Sequence, residues 1–287
     1  MKVLLSIIKP IIYSNLFVAL SVASYTHLTF ILYDLPQQNA VIISLMVFCF
    51  TYTTYNGQRI FRLKQSSYKD LGERLKWVLK YQKSLLVSSF FLGAVGLITL
   101  FFINPLCIIL IIPMGIISLF YVVPIPIIKK SLREIAFMKI YAIAVVWSLI
   151  VIGIPFIEVN GINFFDKTFV LAFAQSVLFI VAITLPFDVR DLPFDKQTNL
   201  KTIPYVIGIE NTIIVIQLLL SCSMAIFYFL PINKIHLIGI MIGHCITIAI
   251  TLFTHKKRKE LFYAGWVEST VIFLWGSVFI LDYFFSL

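Results

Sequence analysis

The chain has 287 residues, 60% of them hydrophobic and only 13% charged, with 23 Lys+Arg against 13 Asp+Glu for a formal charge of +10. A soluble domain is roughly half apolar and about a quarter charged, so this composition excludes an ordinary soluble enzyme and describes a polytopic membrane protein. In that setting the surplus positive charge belongs to topology and lipid headgroups, which removes the nucleic-acid partner that a basic soluble chain would suggest.

Lys2 and Lys9 precede a first apolar run that is too long for a signal-peptide core and lacks a small-residue cleavage site, so it reads as a retained helix. Apolar runs of spanning length follow at about 11–32, 40–55, 84–103, 106–123, 138–157, 168–186, 204–230, 235–253 and 264–285, each near the ~20 residues a bilayer core requires. The expected fold is an all-α membrane protein: nine transmembrane helices in a single integral domain, residues 1–287, with Asn104-Pro105 separating the third from the fourth. Cys49, Cys107, Cys222 and Cys245 fall inside these runs without paired spacing and read as small hydrophobes.

The loops sort by charge. Lys and Arg concentrate at the N-terminus and in the second, fourth, sixth and eighth loops, while only Lys167 and Lys234 fall on the other side. The positive-inside rule then puts the N-terminus inside and the C-terminus outside, in a membrane of the bacterial inner (cytoplasmic) type.

Two of the basic-side loops carry candidate chemistry. The second, 56–83, opens with Asn56, Arg59, Arg62 and Lys64 and ends in a run, 68–83, that suits an amphipathic surface helix around Leu71, Leu75, Val78 and Leu79. Its basic residues either anchor headgroups or line the mouth of the bundle, where arginine's planar fork suits a phosphate. The sixth loop holds Asp188, Asp191 and Asp195, three acids within eight residues of an acid-poor chain. Offsets of three and seven bring carboxylates to one side of a helix, where they repel unless a cation lies between them. Such a cluster suits Mg2+, which takes its remaining ligands from water and substrate phosphates; the competing reading is a solvated loop paired with Arg190, Lys196 and Lys201. Pro193 is expected to end or kink the sixth helix near 191–192, leaving Asp195 on the following turn. Glu268, one turn into the last helix, is an ionisable group near membrane depth that either faces the same cavity or snorkels to the surface. His27, His236, His244 and His255 show no metal-ligand spacing and read as structural.

The stretch DVRDLPFDKQTNLKTIP resembles the second aspartate-rich motif of the UbiA-type intramembrane prenyltransferases, with Asp191 and Asp195 at the core aspartates, Asp188 one turn earlier, and Lys201-Thr202-Ile203-Pro204 as the trailing element. Tyr121 with Pro124, and Lys129-Lys130, look like the family's residues closing helix four. The resemblance implies a nine-helix bundle with a cytoplasm-facing cavity and a transferase that ionises a prenyl diphosphate and passes the prenyl group to a lipophilic acceptor that no residue here selects. It assigns Asp191 and Asp195 as catalytic carboxylates that hold Mg2+ with Asp188, and Asn56, Tyr121, Lys129, Lys130 and Lys201 to substrate binding, where Arg59, Arg62, Lys64 and Glu268 are expected from loop charge and depth. The first motif departs from the family. Only Asn56 remains of it, and Gly57, Ile60 and Lys64 stand at its three acid positions. One Mg2+ site is therefore expected, with direct cationic contacts replacing the second. The alternative is a non-catalytic relative that binds an isoprenoid or lipid, or serves as a subunit of a membrane complex; a transporter is disfavoured because no repeat is visible.

Overall fold

A segment in a bilayer must satisfy its backbone polar groups internally, and this chain does so with helices. The structure, a computed structural model, describes residues 2–65 and 72–285, with side chains from residues 8–63 and 72–285. In chain order the helices are α1 (Lys2–Tyr13), α2 (Leu16–Leu32), α3 (Gln37–Gln65), α4 (Glu73–Lys80), α5 (Gln82–Thr99), α6 (Ile108–Phe120), α7 (Met138–Ser148), α8 (Ile154–Asn160), α9 (Lys167–Gln197), α10 (Ile203–Ile226), α11 (Lys234–Leu252) and α12 (Glu268–Phe285). A π-helical turn, Leu149–Gly153, joins α7 to α8, and another, Phe262–Val267, leads into α12.

Among the described residues, seven helices are long and apolar enough to cross a membrane: Gln37–Leu63, Gln82–Phe102, Met138–Phe164, Lys167–Gln197, Ile203–Phe229, Lys234–Leu252 and Phe262–Phe285. The first and fourth expected spans are occupied by shorter apolar helices, Leu16–Leu32 and Pro105–Phe120, so seven of the nine meet the length of a spanning helix. The first run is shortened because Asn15 adopts a left-handed conformation (φ 63°) that separates α1 from α2. Its amide donates to Asn56 Oδ1 at 2.9 Å, and Asn56 in turn donates to the carbonyls of Ser14 (2.9 Å) and Tyr52 (3.0 Å). These bonds pin the break against α3, where an unsatisfied amide would be costly.

The surface helix expected over 68–83 lies partly outside the described residues; its remainder is α4, whose Val78 packs with Ile60, Leu63 and Leu85. Outward-facing Phe90 and Phe101 are more than 80% exposed, as lipid-facing side chains are. The main core joins α2, α3, α7, α8, α9, α11 and α12 through side chains such as Tyr25, Ile43, Ile152, Phe179 and Leu274.

Helix α9 departs from expectation. It runs unbroken for 31 residues through both Pro186 and Pro193. Prolines are tolerated inside membrane helices where neighbouring groups satisfy what the ring displaces. The helix stops four residues past Pro193, where Asn199 turns left-handed (φ 53°) and Leu200 N–H closes back onto the Asp195 carbonyl at 2.9 Å. Asparagine enters that conformation readily, and this closure terminates the helix. Asp188, Asp191 and Asp195 therefore all sit on one continuous helix.

Helices α11 and α12 approach through Gly239 and Gly243, where an added Cβ would stand 2.7 Å from the Cα atoms of Val278 and Leu274 respectively. Small residues four apart permit such close backbone approach in membranes. Gly243→Ala is expected to destabilise the fold by about 1–3 kcal/mol through overpacking, read as a lower melting temperature of the detergent-solubilised protein; an unchanged melting temperature would mean that the two helices are free to separate.

Candidate functional site

The loop-rich basic end of the bundle opens into a cavity of about 1090 Å³, counting its open mouth. Among the described residues its wall carries six cations, Arg59 and Arg62 from α3, Arg74 from α4, Arg133 from the α6–α7 connection, Lys139 from α7 and Arg190 from α9, against two carboxylates, Asp191 and Glu268. The deeper wall is apolar and aromatic, with Ile143, Trp147, Ile183, Phe187 and Val271. One chamber thus joins a cationic lip to an oily interior.

A connected set of charge-assisted bonds holds the lip. Lys139 Nζ lies 2.6 Å from Asp188 Oδ1 and 3.3 Å from Asp191 Oδ2. Arg190 grips the same Asp191 through Nε (2.8 Å) and Nη2 (3.2 Å) and reaches Glu260 through Nη1 at 3.3 Å. Glu260 accepts from Arg74 Nη1 at 3.1 Å, and Arg74 Nη2 donates to Asn15 Oδ1 and the Ile12 carbonyl, both at 3.0 Å. The line continues through Asn15 to Asn56. It ties α7, α9, α4, α3 and the approach to α12 into one frame. Phe187 and Tyr263 also lie under the Arg190 guanidinium, at 5.2 and 5.8 Å, which fixes its plane. Beside the lip, Glu134 caps Ser131 through backbone N–H and hydroxyl bonds, both 2.8 Å; the backbone bond foremost, then the hydroxyl, hold its carboxyl below the usual range.

The structure divides the residues singled out from sequence. Arg59, Arg62, Tyr121, Asp191 and Glu268 line the cavity. Asp188 and Asp195 are buried, at 0% and 2% exposure, but neither reaches the cavity wall. Asp195 accepts from Thr202 at 3.2 Å, beneath the start of α10, instead of standing on a loop turn. Asn56 is fully buried and ties α3 to the α1–α2 break. Lys129, Lys130 and Lys201 are exposed and away from the cavity; Lys201 contributes its carbonyl, which accepts from Phe137 N–H at 3.3 Å. The Lys64 side chain lies outside the described residues.

The three aspartates do not converge as a metal site would require. Mg2+ demands near-octahedral oxygen ligands at about 2.0–2.1 Å, and among the described residues no group of three or more His, Cys, Asp or Glu side chains is arranged to hold an ion. Offsets of three and seven do place the carboxylates on one face, but Lys139 already stands between the first two and Thr202 takes the third. Asp191 is further claimed by Arg190. Glu268 Oε2 lacks a hydrogen-bond partner, yet it shares the cavity wall with Arg59 and Arg74 and with only one other carboxylate, Asp191. The residues present therefore do not fit a carboxylate-held Mg2+.

Sequence reasoning passed over Arg74, Arg133, Lys139 and Arg190. Each was absorbed into the basic charge that sets topology or into the solvation of an acidic loop. Lys139 carried a usable signal, since it sits one residue inside a membrane helix, where a charge is costly unless paired.

The sequence profile of the UbiA prenyltransferase family matches residues 81–283. No curated protein matches the chain by sequence. Among solved structures, a UbiA homolog from Archaeoglobus fulgidus bound to GPP and Mg2+ is 14% identical, with 95% of this chain and 99% of that chain covered at a TM-score of 0.62. The same homolog bound to DMAPP and Mg2+ is 12% identical over 92% and 96% of the two chains, at 0.57. A structure described for digeranylgeranylglyceryl phosphate synthase in membranes is 16% identical over 95% and 96%, at 0.56. At these identities the likeness establishes the fold.

Removing one partner of a buried ion pair strands the other. Lys139→Met is expected to cost about 3–5 kcal/mol because it leaves the Asp188 charge uncompensated in the bundle, and adding Asp188→Asn is expected to restore part of that loss. Denaturant or thermal unfolding in detergent measures both; equal stability of wild type and Lys139→Met would show that the pair contributes nothing.

Proposed function

The chain belongs to the UbiA prenyltransferase family, and on that premise we propose that it is a membrane prenyltransferase acting on a prenyl diphosphate and a lipophilic acceptor. The observation that carries the reading is the polarity of the chamber: six cations among its described lining residues, beside an aromatic and aliphatic interior. A diphosphate matches the first and an isoprenoid chain the second. As the allylic bond breaks, negative charge accumulates on the departing diphosphate, and fixed guanidinium and ammonium groups stabilise that charge without reorganising. The prenyl cation then lies near Tyr55 and Trp147, whose rings favour positive charge in a dry setting. In this arrangement Asp191 acts by orienting Arg190 and Lys139.

The basic loops support one orientation. Arg74, Arg133, Arg190 and Glu260 come from four different even-to-odd loops or their flanks and meet at one end of the bundle. That supports a cytoplasmic N-terminus and a cavity open to the cytoplasmic face of an inner membrane. A second reading, a non-catalytic binder of isoprenoids, is favoured by Gly57, Ile60 and Lys64 at the three acid positions expected of the first motif.

Titration of the detergent-purified protein with GPP tests binding. Arg62→Ala and Arg133→Ala are each expected to weaken it by about tenfold, as loss of a charge-assisted phosphate contact would, while Lys130→Ala, outside the cavity, leaves it unchanged. Release of diphosphate in the presence of a membrane lipid extract separates enzyme from binder. No release from folded protein, across donors of several chain lengths, would leave the binding reading alone.

A further inference from the structure

We propose that this chain binds the diphosphate of its substrate without a divalent metal, the Lys139 ammonium standing where an ion would bridge the two aspartates. The proposal rests on the prenyl diphosphate reading above and concerns what neutralises the phosphates.

Three observations support it. The first is the place of Lys139 itself. Asp188 and Asp191 are one helical turn apart on α9, the spacing that invites a shared cation, and a protein-borne cation already lies 2.6 and 3.3 Å from them. An ammonium hydrogen-bonded to Asp191 and in ion-pair contact with Asp188 occupies the position a magnesium ion would take between them, and the ion would have to displace it into a wall bearing five arginines. The second is the opposite wall. Helix α3 presents Arg59 and Arg62 to the cavity, and Gly57 and Ile60 supply no carboxylate there. Mg2+ is held by one or two carboxylates together with phosphates, and among the described residues Asp191, the α9 carboxylate that reaches the cavity, is already bonded to Arg190 and Lys139. The third is the balance of charge. Among the described residues, six cations against two carboxylates leave the lining four charges positive (6 − 2), and counting the adjacent Asp188 and Glu260 still leaves two (6 − 4). A wall prepared for Mg2+ would be acidic before the ion arrives. This one is complementary to a polyanion as it stands.

The resulting division of labour is definite. Arg59, Arg62 and Arg133 line the cavity where they can meet phosphate oxygens directly, while Arg74 and Arg190 are bonded to Glu260, Asn15 and Asp191. Lys139 and Arg190 keep the far side of the lip positive while holding Asp191 in place.

The test is titration of the purified, detergent-solubilised protein with GPP at constant ionic strength, in excess EDTA and in excess Mg2+. The expected result is binding in both arms with affinities within about threefold of each other. Binding that vanishes in EDTA and returns with Mg2+ overturns the inference but leaves the prenyl diphosphate reading intact; no binding in either arm overturns both. Lys139→Gln supplies an independent readout. Once the ammonium is gone, Asp188 has no cation beside it and Asp191 keeps only Arg190, so an ion can take the ammonium's place; the variant's affinity in EDTA is expected to fall by about tenfold or more and to recover with Mg2+. A variant that folds and binds equally in both arms would show that Lys139 does not take the ion's part.

Discussion

The frame of the site depends on one buried contact, the Lys139 ammonium between Asp188 and Asp191. A carboxylate with no solvent exposure cannot remain charged inside a bundle without a partner, and two carboxylates a turn apart cannot both remain so without a cation between them. Lys139 answers both requirements from the first turn of α7, and thereby fixes α7 against α9. From Asp191 the bonding continues through Arg190, Glu260 and Arg74 to the Asn15–Asn56 pair, so the elements that meet at the mouth are positioned by one line of polar contacts. The apolar core sets how the helices pack. This line sets which ends of them face the chamber.

The continuity of α9 makes the arrangement possible. Had the chain broken at Pro193, Asp195 would stand on a loop with its own orientation. Because the helix runs on to Gln197, all three aspartates keep helical register, yet their environments differ: Asp188 is sealed behind Lys139, Asp191 looks into the cavity, and Asp195 is covered by Thr202 at the entry to α10. One face of a helix is not one site, since neighbouring elements decide which of its side chains reach open space.

Much of the fold was legible in the sequence because bilayer thickness and charge asymmetry act on long stretches of residues. The apolar runs located the helices, and the loop charges predicted the shared basic end where Arg74, Arg133 and Arg190 meet. Local exceptions were less legible. The break at Asn15 depends on the tertiary partner Asn56, and the helix continued past Pro193 because its stop is made by Asn199 and Leu200. In the site, Arg59, Arg62, Tyr121, Asp191 and Glu268 were found from motif and depth. Lys139, Arg133 and Arg74 were not, because a basic residue near a cytoplasmic helix end has an ordinary topogenic explanation, and only coordinates distinguish the few that turn inward.

The sign of the wall follows from that inward turn. An anion site can be built with acids that recruit a divalent ion or with bases that meet the anion directly, and the two designs stress the protein differently. Acids repel one another until the ion binds, whereas guanidinium groups repel one another until the anion binds. In this chain the repulsion among cations is relieved in part within the protein, since Glu260 lies between Arg74 and Arg190 and Asp191 between Arg190 and Lys139. The relief is incomplete, because Arg59, Arg62 and Arg133 add charge to the same wall without an equal number of carboxylates. In a chamber bounded by apolar side chains such an excess is screened less than at an exposed surface. On the metal-free proposal a phosphate group entering the lip completes a charge balance that the fold leaves open, and Asp188 and Asp191 serve to hold Lys139 and Arg190 in position.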